Sequence, residues 1–245
     1  MKIVGNTVLI TGGATGIGFS LAEYFINSGN EVIICGRREN KLKKAKRKLP
    51  KIHIRVCDVT KPNERKSLYN WIISNFNNIN ILINNAGIQR IVDLKKSSHQ
   101  PKGEDEIDIN LKAPIYLSIL FIPILSKQKE AAIINISSGL GFVPIASMPV
   151  YCATKAAIHS FSISLRHQLK NTSVKVFEII PPMVDTELDK GRRGKSDRGI
   201  HPSEIAKATL NALENDKFEL AVGMAEGLRA ASKNNFDKIF NNINP

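Results

Sequence analysis

Tyr151 precedes Lys155 by one helical turn, with Ser138 upstream at the end of an apolar run and Asn110 further back. Together these side chains can handle a proton. Residues i and i+4 share a helix face, so the Lys155 ammonium would lie near the Tyr151 phenol. An unperturbed phenol titrates at about 10. A neighbouring cation favours the phenolate and lowers that value toward the range useful for general acid–base catalysis. Taken alone, Tyr-x-x-x-Lys also arises by chance on solvated helices, so the surrounding elements must decide between the two readings.

Those elements alternate. Short β-branched runs predict strands over Thr7–Ile10, Glu31–Cys35, Ile52–Cys57, Ile79–Ile83, Ala131–Ile136, Val174–Ile180 and Glu219–Val222. Segments of helical period fall between them at Gly16–Ser28, Asn40–Leu49, Pro62–Asn75, Glu104–Ser126, Val150–Leu169 and Ser203–Glu214. Pro62 and Pro202 suit helix starts, where the missing N–H is harmless. This rhythm predicts an α/β fold of the Rossmann type: one doubly wound parallel sheet of about seven strands with helices on both faces. The functional site would then lie at the strands' carboxyl ends. Pro181–Gly199 breaks the rhythm with prolines, glycines and charges, and reads as a substrate lid over that site.

A chain of 245 residues can form a single such domain, and its 42% hydrophobic and 23% charged content suits a globular protein and excludes disordered and fibrous classes. The longest apolar stretch, Ile115–Leu125, is too short to span a bilayer, and the N-terminal segment runs into Thr11-Gly12-Gly13 without a cleavage region. A cytoplasmic protein is expected. Cys35, Cys57 and Cys152 have neither metal-ligand spacing nor a disulfide pattern, so no metal is implied; Cys152 reads as a packing residue rather than a nucleophile.

A net charge of +13, from 35 basic and 22 acidic side chains, would attract phosphates, acidic metabolites or nucleic acid. Much of it lies between Arg37 and Lys51, where Leu42, Ala45 and Leu49 recur at helical spacing and leave the lysines on a solvated outer face. That segment lacks the aromatics or motif of a nucleic-acid binder, so no specific nucleic acid is expected.

Between the first strand and first helix lies Thr11-Gly12-Gly13-Ala14-Thr15-Gly16-Ile17-Gly18. In a βαβ setting this reads as a dinucleotide loop: Gly12 for the tight turn, Gly16 for approach to a pyrophosphate, Gly18 for close helix–sheet packing. The second strand ends in Cys35-Gly36-Arg37-Arg38, without the acidic residue that binds an NAD ribose. Arg37 can instead pair with a 2′-phosphate, and Arg38 can add charge or stack on adenine, which favours NADP with NAD as the alternative. The other reading has both arginines simply opening the basic helix.

With Asn84-Asn85-Ala86-Gly87 after the fourth strand, Asn110, Ile136-Ser137-Ser138-Gly139 and Tyr151-Cys152-Ala153-Thr154-Lys155 joined to that loop, the chain resembles the short-chain dehydrogenase/reductase family from about Thr7 to Thr186. Asn84–Arg90, Pro149–Ala157 and Pro181–Leu188 look most like its DltE-like oxidoreductase branch, a name taken from a teichoic-acid D-alanylation operon that assigns no chemistry. The resemblance implies that Tyr151 exchanges a proton with the substrate oxygen while Lys155 lowers its pKa and binds the nicotinamide ribose. Ser138 would polarise the carbonyl, and Asn110 would hold a water linking Lys155 to solvent. Asp58 and Val59 would border adenine; Asn85, Ala86 and Gly87 the ribose; Ile180, Pro181, Val184 and Thr186 the carboxamide end. Ala14, Thr15 and Ile17 would join the glycines at the phosphates. Pro181-Pro182 departs from the Pro-Gly of many members and removes a backbone donor.

The activity so implied is NADP-dependent interconversion of a small-molecule carbonyl and alcohol. The alternative is a dinucleotide-sensing binding protein on the same fold, which would have no need of a proton relay. Leu140, Phe142, Val143, Pro144, Ile145, Ala146 and Met148 can line an apolar substrate pocket, fill the core or form a subunit contact. Arg192, Arg193, Lys195 and Arg198 either attract an acidic substrate or are solvated. The resemblance also implies a homodimer or homotetramer paired through the long helices before and through Tyr151.

Overall fold

The structure is a computed structural model and describes residues 1–95, 105–189 and 199–244. Seven parallel strands form one sheet in the order β3-β2-β1-β4-β5-β6-β7. They are β1 (Thr7–Thr11), β2 (Glu31–Gly36), β3 (His53–Val56), β4 (Ile79–Asn84), β5 (Ala131–Ile136), β6 (Val174–Ile180) and β7 (Glu219–Ala221). The connecting helices are α1 (Gly16–Asn27), α2 (Glu39–Lys48), α3 (Pro62–Asn75), α4 (Ala113–Leu125), α5 (Pro149–Gln168) and α6 (Pro202–Glu214). The doubly wound architecture expected from the sequence is therefore present, with boundaries shifted by a residue or two.

Strand alternation divides the core. Val8, Ile10, Val32, Ile34, Phe177 and Ile179 face the layer formed by α1, α2 and α6, with Leu21, Phe25 and Leu42 packed on them. Their neighbours Leu9, Ile33, Leu82, Ile133 and Val176 face α3, α4 and α5, against Leu68, Ile72, Phe121 and Leu165. Both faces of a parallel sheet are thus covered, and each fully buried Leu, Ile or Phe contributes roughly 1.5–3 kcal/mol relative to exposure.

Two features differ from the sequence reading, and a third expectation falls largely outside the described residues. The helix expected from Glu104 begins outside the described residues, and a π turn at Asp108–Lys112 precedes α4. By length and composition Asp108–Leu125 would suffice to cross a membrane. Here it covers the sheet instead, with Leu117, Phe121 and Leu125 buried. Two further helices, α7 (Met224–Asn234) and α8 (Phe236–Ile243), follow the last strand and were absent from the predicted elements. Of the expected lid at 181–199, positions 190–198 lie outside the described residues; before them, Val184 pairs with Ile200 in a short parallel bridge.

Candidate active site

The sheet order reverses between β1 and β4, where α/β folds open a crevice at the strand ends. The turn after β1 requires glycine: Gly12 has φ +65, and a Cβ there would lie 2.9 Å from Ala86 Cα. Thr11 braces the crossing. Its Oγ1 accepts from the N–H groups of Asn85 and Ala86, each at 3.0 Å, and the Asn85 amide donates to Thr11 O at 2.9 Å. Gly16 abuts Thr186 Cγ2 at 3.0 Å through its absent Cβ. A Cβ at Gly18 would lie 2.5 Å from Asn85 Nδ2 and 2.6 Å from Gly12 O, so its absence lets α1 start close against the residues that follow β1 and β4. A Cβ at Gly13 would lie 2.6 Å from Ile34 Cγ2 on β2, so this glycine also lets the chain pack closely on the sheet. The first turn of α1 carries no acid, leaving its positive end available to an anion.

A single cavity of about 1200 Å³ runs along this crevice. Gly12, Ala14, Thr15, Gly16 and Ile17 form its floor, with Arg37, Arg38, Asp58 and Val59 at one end. Asn85, Ala86 and Gly87 line its middle. Ser138, Tyr151, Lys155, Pro181, Val184 and Thr186 line it further along. Gly18, Asn110 and Ile180 lie behind the wall rather than on it. At the arginine end, burial raises the Asp58 carboxyl, but hydrogen bonds from Thr60 and the Arg37 charge outweigh it and hold the group below the usual range. Arg38 donates to Glu187 at 3.2 Å, and Lys41 donates to the same carboxylate at 2.5 Å.

Tyr151 and Lys155 share the inner face of α5, 7% and 6% exposed, with the Lys155 Nζ 5.7 Å from the phenol ring centroid. Lys155 donates to Ile136 O at the end of β5, at 2.8 Å. Burial pushes its pKa from 10.5 down to about 8, opposed by the Glu178 carboxylate. Glu178 is fully buried on β6 and bonds His159, one turn below Lys155 on α5, at 2.7 Å. That bond raises the His159 pKa against the effect of burial. Ser138 opens a 3-10 turn, Gly139–Gly141, and its Oγ accepts from Leu140 N at 3.2 Å. The turn rides directly on α5: a Cβ at Gly141 would sit 2.9 Å from the Lys155 carbonyl carbon.

Asn110, in the π turn, is 1% exposed. Its Oδ1 accepts from Ile88 N at 2.9 Å, while Nδ2 donates to Ile88 O at 2.8 Å and to Thr154 Oγ1 at 3.2 Å. Pro114, four residues on, has no N–H to donate to the Asn110 backbone carbonyl. Sequence reasoning did not single out Thr11, Glu178, His159 or Glu187, nor the wall contributed by Met224, Gly227, Leu228, Ile239 and Ile243 of α7 and α8. A polar residue in the apolar run Val174–Ile180 was the available signal for Glu178.

A model of the short chain dehydrogenase family matches residues 6–197. The uncharacterized oxidoreductase DltE of Bacillus subtilis (strain 168) is 50% identical over 248 residues, covering 100% of this chain and 98% of that protein. This agrees with the resemblance read from the motifs. Among solved structures, a short chain dehydrogenase from Burkholderia cenocepacia J2315 in complex with NADP superimposes with TM-score 0.86 at 25% identity, over 99% of each chain. A short chain dehydrogenase/reductase from Burkholderia phymatum in complex with NAD shares the fold with TM-score 0.86 at 21% identity, over 100% of this chain and 98% of that one. The chain belongs to the short chain dehydrogenase family of oxidoreductases.

Proposed function

We propose that the protein is an NADP-dependent oxidoreductase that interconverts a carbonyl and an alcohol, with Tyr151 as general acid/base. The observation that carries this reading is the convergence of Ser138, Tyr151 and Lys155 on the same cavity as the Gly12–Ile17 turn. The residues present fit a nicotinamide dinucleotide. Its pyrophosphate would rest on the backbone between Gly12 and Ile17 at the start of α1. Asp58, held ionised, can accept from the adenine amine, and Arg37 and Arg38 can meet a 2′-phosphate where an acid would repel one. The similar structure from Burkholderia cenocepacia was solved with NADP. Ala86 and Gly87 would lie along the ribose, and Pro181, Val184 and Thr186 at the carboxamide.

The bound nicotinamide would be the source or acceptor of hydride. The chain's own residues then manage the oxygen. Ser138 accepts from Leu140, so its hydroxyl proton can be donated to the substrate oxygen. The Tyr151 phenol can pass a proton to the same atom, with the Lys155 cation favouring the phenolate left behind. Of the three Lys155 N–H donors one goes to Ile136 O, which leaves two for ribose hydroxyls. The Asn110 amide is taken up in fixing Ile88 and Thr154. The water expected at this residue would therefore bond its backbone carbonyl, which Pro114 leaves without the ordinary helical donor.

The outer faces of α4 and α5 expose Tyr116, Ile119 and Ile163, which supports a homodimer or homotetramer through these helices. Three buried cysteines outside any disulfide suit a reducing cytoplasm. The test of the function is oxidation of NADPH by purified protein across a panel of aldehydes and ketones. Tyr151→Phe is expected to abolish turnover while NADPH binding, followed by fluorescence titration, stays near wild type. Undiminished turnover would remove Tyr151 from the chemistry.

A further inference from the structure

Beyond Ser138 and Tyr151 the cavity changes character. Leu140 and Ile145, which pack on Tyr151, form one wall. Further lining comes from Met224 and Leu228 on α7 and Ile239 and Ile243 on α8. Among the described residues the charged groups on the cavity wall are Lys155 and, toward the arginine end, Arg37, Arg38, Asp58 and Glu187. Glu187 is already held by Arg38 and Lys41.

This wall is built in place. A Cβ on Gly139 would lie 2.9 Å from Leu228 Cδ1, so α7 presses on the turn that carries Ser138. Asn244, just after α8, accepts from Ala146 N and donates to Pro144 O, which pins that helix to the loop before Tyr151. Phe236, Ile239, Phe240 and Ile243 recur at helical spacing on α8, yet none is buried, and of these Ile239 and Ile243 line the cavity. Met224 is 72% exposed, and Met183 and Leu188 on the same cavity are 38% and 41% exposed. An apolar helix face left open toward a cavity, continuous with further exposed apolar side chains, is the surface expected of a site that takes an apolar ligand. At about 1200 Å³ the cavity exceeds the roughly 300–1,000 Å³ of a single small-molecule pocket, so it has room for a dinucleotide and a second ligand.

We infer that the substrate is an uncharged aliphatic carbonyl or alcohol whose hydrocarbon body lies in the groove lined by Leu140, Ile145, α7 and α8. The inference rests on the oxidoreductase reading above. It places the reacting oxygen at Ser138 and Tyr151 and the chain along Leu228, Ile239 and Ile243, where each methylene removed from water adds to binding.

The test uses the full chain with NADPH and unbranched aldehydes from propanal to decanal. In parallel, thermal unfolding of the NADP⁺-loaded protein is followed with the matching alcohols, a readout that needs no turnover. The value of kcat/KM is expected to rise about fourfold per added methylene, equivalent to about 0.8 kcal/mol, until the groove is filled. Stabilisation by the alcohols should follow the same order. Ile239→Asp and Met224→Asp, at half-buried and exposed positions where the fold tolerates a carboxylate, are expected to flatten both series. Values independent of chain length overturn the inference. So does faster turnover of an aldehyde ending in a carboxylate than of its alkyl counterpart. A rising alcohol series without turnover would keep the groove and remove the oxidoreductase reading, whereas turnover with flat series would do the reverse.

Discussion

Replacing Lys155 with methionine is expected to destroy turnover and, at neutral pH, to stabilise the fold. Lys155 is 6% exposed, and burial lowers its pKa from 10.5 to about 8 despite the favourable Glu178 charge. The difference, 10.5 − 8, corresponds to about 3 kcal/mol of disfavour for the charged form in the folded state. At pH 7 the ammonium is protonated both folded and unfolded, so the fold carries this cost in full. Between pH 8 and 10.5 the native side chain is neutral while the unfolded chain still binds the proton, and stability recovers as pH rises. Methionine fills a similar volume without the charge but loses the bond to Ile136 O, which as a charged donor contributes about 1.5–3 kcal/mol. The net gain at pH 7 is up to about 1.5 kcal/mol, or up to about 6 °C in Tm for a domain of this size. Above pH 10.5 the charge cost is gone and only the lost bond remains, so the order of stabilities should invert. Paired urea titrations of wild type and Lys155→Met at pH 7, 9 and 10.5 or just above measure this directly. A variant less stable at pH 7, or a difference that does not change with pH, would refute the assignment of Lys155 as a desolvated cation. The outcome would also show stability given up at a site whose chemistry needs a buried charge.

Other outcomes follow from the same geometry. Arg37→Asp should weaken NADPH binding by about 10- to 150-fold, the equivalent of a charge-assisted contact of about 1.5–3 kcal/mol, and leave NADH binding much less changed; equal losses in calorimetric titrations would dismiss the 2′-phosphate role. His159→Gln should cost stability chiefly at acid pH. Because Glu178 raises the His159 pKa, the contribution of the pair is fully present below the unfolded value near 6.5 and is lost as pH rises through the folded value. Urea midpoints should therefore differ by more at pH 6 than at pH 9, and a gap that widens with pH would contradict the pairing.

How much of the site could be read from the sequence depends on what each residue contributes. The glycine turn was legible because its demand is on the backbone: Gly12 sits at φ +65 against Ala86, and few residues other than glycine can do so. Tyr151 and Lys155 were legible because one helix fixes their common face. Gly18 reads as a close-packing position, but its particular neighbours, Gly12 and Asn85, are brought together by the pairing of β1 and β4 rather than by local spacing. The apolar end of the cavity was least legible. Part of its wall comes from α7 and α8, the second only eight residues long. Helices this short are marginal alone and are held here by contacts such as those of Asn244 with Pro144 and Ala146. Their side chains, Leu and Ile, carry no chemical signature, so the same pattern serves a core or a ligand. The run between Ser138 and Tyr151 shows both uses. Leu140 and Ile145 line the cavity, whereas Phe142 packs on Ile180, Ala221 and Ala225, and Val143 is wholly buried. A catalytic group is recognised by what it is, whereas an apolar wall is recognised only by what it faces. For that reason the cofactor end could be argued from single residues, while the apolar end of the cavity emerged only with the placement of the last two helices.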